Sequence, residues 1–110
     1  MQSILTCGLK PTQFSYTGTV QNGVTILFNT GAKCTFSKQT IDEVLKNFRG
    51  KIVPGGFSMT KPTAGGLGHY LQSLRQGYTP RHASFLCAIL ANEGYVTTHL
   101  FGQAVIITFP

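Results

Sequence analysis

The side chains able to do acid–base, nucleophilic or metal chemistry are few, and their spacing limits what they could do. The 110-residue chain has three acids, Asp42, Glu43 and Glu93, three histidines, His69, His82 and His99, and three cysteines, Cys7, Cys34 and Cys87. Carboxylate-pair hydrolysis and metal-dependent phosphoryl chemistry both need acids that converge. Asp42 and Glu43 are adjacent, so they do not face each other on a helix. A position in a first helical turn, where the dipole favours acids, already accounts for both. No pair of histidines has a metal-site spacing, and no CxxC or Cys/His zinc pattern is present. A cysteine–histidine nucleophile would have to use Cys34 or Cys87, and Cys87 lies among apolar residues, which favours packing over reactivity. The expectation is a protein that is not an enzyme and uses no cofactor or metal. Its thiols are expected to stay reduced, as in the cytoplasm.

The charges point to a different chemistry. Nine Lys and Arg against three acids give a net charge of +6, while charged residues are only 11% of the chain. Such an imbalance favours a polyanionic partner. Two basic stretches have a mechanism. In Thr79-Pro80-Arg81-His82-Ala83-Ser84, Thr and Pro suit a helix start. That puts Arg81, His82 and Ser84 in a first turn, where Arg can fork onto guanine, Ser can reach a phosphate or base edge, and the helix amino terminus favours phosphate. Lys61-Pro62-Thr63-Ala64-Gly65-Gly66-Leu67-Gly68-His69 offers backbone amides, a hydroxyl and a cation for a phosphate, with Lys61 and Thr63 as the contacts. It is not a P-loop, since no Lys-Ser/Thr follows the glycines. Arg75 precedes the turn between these stretches and joins the set.

Elements that could position these residues follow from periodicity. Residues 1–12 read as an irregular arm, with at most a short strand at Ser3–Thr6 before Lys10-Pro11. From Gln13 the period is two. Phe14, Tyr16 and Val20, then Val24, Ile26 and Phe28, then Ala32–Phe36, make a three-stranded meander with turns at Gln21-Asn22-Gly23 and Asn29-Thr30-Gly31. One apolar face of three short strands needs a cover. Thr40-Ile41-Asp42-Glu43 has capping-box spacing, and Ile41, Val44, Leu45 and Phe48 continue at helical spacing up to Arg49-Gly50. A short strand at Lys51–Val53 and a turn at Pro54-Gly55-Gly56 follow. A second helix spans 64–75, capped by Thr63, with glycines that weaken it or allow close backbone approach. A third helix spans 80–93 and stops at Gly94. Two β-rich runs, 95–100 and 104–109, flank a Phe101-Gly102-Gln103 turn.

The order helix, short turn, helix, hairpin over residues 63–110 resembles a winged helix, with Leu90-Ala91-Asn92-Glu93-Gly94-Tyr95-Val96 as the end of a recognition helix entering its first wing strand. The resemblance implies an α+β fold in one domain, with 1–38 a β meander packed on a winged-helix-like unit over 39–110. It also implies nucleic-acid binding, duplex DNA first, through a recognition helix at 80–93 and a wing at 95–109. The expected contacts are Lys61, Thr63, Arg75, Arg81, His82 and Ser84. The alternative is a non-catalytic protein-interaction or dimerisation module, even the targeting domain of a larger protein, because Phe85, Phe101 and Phe109 exceed what one small core is expected to cover. The start MQSILTCGLK has no long apolar run, so no signal peptide, membrane span or membrane partner is expected.

Overall fold

A computed structural model of the chain describes residues 2–7, 11–28, 30–60, 63–102 and 104–110. Lys10, Asn29, Lys61, Pro62 and Gln103 lie outside the described residues. The fold is α+β, with three helices and two antiparallel sheets among these residues.

The amino-terminal sheet has four strands, β1 (Gln2–Leu5), β2 (Gln13–Thr19), β3 (Gly23–Leu27) and β4 (Lys33–Phe36), in the order β1-β2-β3-β4. The expected three-stranded meander is thus corrected by one strand. Its first strand was hard to see because Gln2–Leu5 is an edge strand with no fully buried residue, so its alternation is faint. The alternation in β2 and β3 does set one face inward. Phe14, Tyr16, Val24, Ile26 and Phe36 are buried, while hydroxyl pairs such as Thr25–Thr35 (3.1 Å) and Ser3–Ser15 (3.0 Å) line the other face.

Helix α1 (Lys38–Phe48) starts earlier than its capping-box spacing suggests. Ser37 is the cap, its hydroxyl accepting from the Thr40 amide at 3.2 Å. Thr40 therefore lies inside the first turn and is buried. Asp42 falls in the second turn, where it pairs with Lys38 at 2.6 Å. Ile41, Val44 and Phe48 are buried on one side of this helix.

After β5 (Ile52–Pro54) the chain passes through a glycine-rich loop into α2 (Leu67–Ser73). This helix is shorter than the expected 64–75, and Gly66 rather than Thr63 precedes it. Gly68 gives its amide to the Gly55 carbonyl at 2.8 Å. A Cβ there would collide with the Gly56 carbonyl oxygen and press on Pro80. Close backbone approach is thus what this glycine provides.

Helix α3 (His82–Asn92) leads into the hairpin β6 (Thr97–Phe101) and β7 (Ala104–Thr108). Strand β5 joins the same sheet, whose order is β5-β7-β6, with Val53 opposite Ile107. A single cluster of buried side chains runs through the molecule, from Phe14 and Tyr16 through Leu86 and Leu90 to Val105 and Ile107. Phe48 joins α1 to α2 and to the last strand by ring contacts with Tyr70 (5.2 Å) and Phe109 (5.1 Å). Among the described residues no helix is long and apolar enough to cross a membrane.

Candidate nucleic-acid interface

Helix α3 is apolar nearly all round, and every residue from Ala83 to Leu90 is buried. Its neighbours explain this. It contacts α2 and β1, and Phe85 meets Phe14 and Phe28 edge-on, each at 4.9 Å. Ser84 is only 8% exposed, and its hydroxyl donates to the Arg81 carbonyl at 2.8 Å. The side of α3 that would enter a groove lies against the four-stranded sheet, so Ser84 has no free group to offer. Phe85 and Phe109 belong to the core, whereas Phe101 is 78% exposed.

The start of α3 is open. Arg81 is exposed and immediately precedes the helix. Pro80 and Arg81 form a tight turn before it, so the helix begins two residues later than its Thr-Pro signal suggests. The amides of His82, Ala83 and Ser84 bond the carbonyls of Thr79, Pro80 and Arg81 at 3.0–3.1 Å. Those amides are therefore engaged, and binding an anion here falls to the Arg81 side chain. Thr79 does not cap with its hydroxyl. Instead its amide donates to His82 Nδ1 at 3.1 Å. Burial, and secondarily the charge of Arg81, hold His82 below the ordinary histidine range, so near neutral pH it is an uncharged acceptor.

Tyr78 organises this end of the molecule. Its ring stacks on Phe36 at 4.6 Å, its hydroxyl donates to the Thr35 carbonyl at 2.8 Å, and it meets His82 edge-on at 6.3 Å. Phe28 stacks on the other side of His82 at 6.2 Å, and its amide is bonded to Ala32. The turn between α2 and α3 is thereby fastened to β4 and to the β3–β4 turn. Arg75, in the left-handed region at φ 55°, and Arg81 come from that turn, and Lys33 begins β4. All three are exposed. A groove of about 340 Å³ beside Arg81 has Phe14, Phe28 and Phe85 in its lining, with His82, Thr12, Gln13 and Thr30.

The other expected residues sit differently. Thr63 is exposed, and its carbonyl accepts from the Gly66 amide at 3.0 Å. It shares a groove of about 500 Å³ with Phe57 and Phe101. The Gly68 amide bonded to the Gly55 carbonyl ties this loop to the start of α2. Lys61 is outside the described residues. Lys51, by contrast, lies at the end where its carbonyl accepts from Phe109. Near that end a cleft of about 650 Å³ takes Asp42 and Lys46 from α1 and Arg49 just after it, together with Tyr95 and Phe109.

Tyr78, Phe28 and Lys33 were missed from sequence. An aromatic residue in the short turn between two basic positions was the available signal for Tyr78. Lys33 and Phe28 had none, because the groove that Phe28 shares with Arg81, and the docking of β4 on Tyr78, depend on how the sheet packs. Glu43 lies one turn along α1 from Thr40, whose hydroxyl donates to the Gln76 side chain, next to Arg75, at 3.5 Å. Asp42 is paired to Lys38, and Glu93 accepts from the Tyr16 hydroxyl at 2.8 Å and the Val20 amide at 3.0 Å. Among the described residues no group of three His, Cys, Asp or Glu could hold a metal. Comparison of the chain with protein-family models, with curated proteins and with solved structures gives no match.

Proposed function

We propose that residues 38–108 are a winged-helix unit and that the protein binds nucleic acid through its basic end at the α2–α3 turn. The element order supports the first half: a helix, a strand, two helices and a hairpin, with that strand joining the hairpin in one sheet. The observation that carries the second half is the fastening by Tyr78. It fastens the turn that carries Arg75 and Arg81 to β4, which begins at Lys33, while Glu93 follows the far end of α3. Exposed cations suit a phosphate backbone. The aromatic groove beside Arg81 suits an unstacked base. Because α3 is enclosed, any direct reading of bases falls to Arg81 and to the hairpin, and duplex DNA is the first ligand to test.

Fluorescence anisotropy with a labelled duplex and a labelled single strand, at two salt concentrations, tests the proposal. Affinity should fall steeply with salt. The Arg75→Ala, Arg81→Ala double variant should weaken binding about tenfold or more and flatten the log–log salt slope by about two. Lys46→Ala, Arg49→Ala at the other end should do much less. No binding at low salt, or equal losses from both pairs, would remove the reading.

The rival is docking of a protein partner through the hairpin tip, favoured by the exposure of Phe101 and Leu100. Phe101→Ser separates the two. It leaves nucleic-acid affinity within about twofold if the basic end is the site, but abolishes self-association or partner capture if the tip is.

A further inference from the structure

We propose that Cys7 and Cys87 are a redox-active dithiol that a peroxide converts to a disulfide, fastening the amino-terminal strand to α3. The two residues are 80 positions apart, yet their sulfurs lie 3.1 Å from each other in a hydrogen bond. Both are free thiols. A disulfide needs about 2.05 Å, so closure requires a shift of about an ångström. The backbone is already docked for it: the Cys7 amide points to the Ser84 carbonyl at 3.5 Å, one turn before Cys87. At the start of β1, which precedes Cys7, Asn92 donates to the Gln2 side chain at 2.9 Å. Cys34 is on β4, at the opposite edge of the sheet from β1, and serves as an internal control.

The environments of the two thiols assign their roles. Hydrogen bonding with Cys87 lowers the Cys7 thiol below its ordinary value; burial opposes this, and a bond with the Thr98 side chain adds to it. The bond with Cys7, then burial, push Cys87 up. Cys7 is half-buried and Cys87 buried, so the oxidant meets Cys7 first. The Cys7 thiolate attacks one peroxide oxygen, the O–O bond breaks, and the departing hydroxide takes up a proton to become water, leaving a sulfenic acid. The Cys87 sulfur then attacks the Cys7 sulfur, the S–O bond breaks, and the hydroxide leaves with the Cys87 proton as a second water. Two thiols and one hydrogen peroxide thus give one disulfide and two waters.

The full chain, kept native, is treated with hydrogen peroxide, quenched, unfolded and alkylated. Intact mass and a peptide map count the thiols. The untreated protein should take three labels. The oxidised protein should take one, on Cys34, with a Cys7–Cys87 linked peptide that dithiothreitol reverses. Cys34→Ser should leave the linkage unchanged, and Cys7→Ser should abolish it. The linked form should melt higher by at least about 5 °C, because the bond closes a long loop in the unfolded chain. Three labels after oxidation, a link through Cys34, oxygen addition without a link, or an unchanged melting temperature would each overturn the proposal.

Discussion

Helices α1 and α3 have the same length, eleven residues, and opposite surroundings. Helix α1 buries one side through Ile41, Val44 and Phe48, and leaves Lys38, Gln39, Asp42, Glu43, Lys46 and Asn47 in solvent. Helix α3 buries eight consecutive residues and exposes none between Ala83 and Leu90. A helix with one apolar stripe is a surface helix, and a helix apolar all round is enclosed. The lesson bears on function. In the helix-turn-helix reading α3 is the element that meets the ligand, but here it is the central strut. Only its start, at Arg81, and its end, at Asn92, face outward.

The largest expected effects test that enclosure. Ala88 is 6% exposed on α3, and Leu86 is fully buried. Ala88→Lys forces an unpaired charge into the core, and Leu86→Ala removes about 2–5 kcal/mol. The matching surface changes on α1, Gln39→Ala and Lys46→Ala, should stay within about 0.5 kcal/mol. Urea unfolding of the four variants provides the comparison. A protein that tolerates Ala88→Lys would show that this side of α3 is free, and the groove-reading role would return.

A smaller effect tests what holds the far end of α3. Glu93 follows the helix and satisfies the Tyr16 hydroxyl and the Val20 amide, while Asn92 donates to the same hydroxyl at 3.1 Å. Tyr16 is fully buried. Glu93→Ala leaves two buried or half-buried donors short of an acceptor and should cost about 1–3 kcal/mol. Tyr16→Phe removes a donor together with its need and should cost less. Breaking the exposed Lys38–Asp42 pair on α1 should cost at most about 1 kcal/mol. Equal losses from Glu93→Ala and Asp42→Ala in denaturant unfolding would mean that the Glu93 contacts add nothing.

Much of this arrangement was legible in local pattern, and the exceptions share a cause. Period two exposed β2, β3 and β4, and helical spacing exposed α1 with its buried Ile41, Val44 and Phe48. The close approach at Gly68 followed from glycines where a helix would avoid them. The enclosure of α3 was also written in the sequence, since Phe85 and Ala88 widen its apolar face beyond a stripe. Phe85, expected to exceed the core, instead fills a second layer of it. The docking of the α2–α3 turn onto β4 was not legible. It arises from Tyr78 reaching Thr35, 43 positions earlier, and no local period encodes such a contact. The meeting of Cys7 with Cys87 escaped for the same reason.

The smallest effect concerns how the two helices begin. Ser37 caps α1 with its hydroxyl, and no side-chain oxygen caps α3. There His82 instead reaches back to accept from the Thr79 amide. A hydroxyl cap does not titrate, but the imidazole does. Its folded-state pKa is lowered, by burial first and the charge of Arg81 second, whereas the unfolded chain titrates near about 6.5. Above that value both states hold neutral imidazole, and the contribution of His82 is fully present. As pH falls through about 6.5, the unfolded chain takes up a proton that the folded protein resists, so stability drops. Protonation also turns Nδ1 into a donor facing another donor, which ends the bond to Thr79. His82→Asn keeps an acceptor near that position without titrating. Between pH 7.5 and 5.5 the melting temperature of the native sequence should therefore fall a few degrees further than that of the variant. Ser37→Ala should lower melting by the same amount at both pH values. Parallel pH profiles for the native protein and His82→Asn would show that this histidine does not reside neutral at the start of α3.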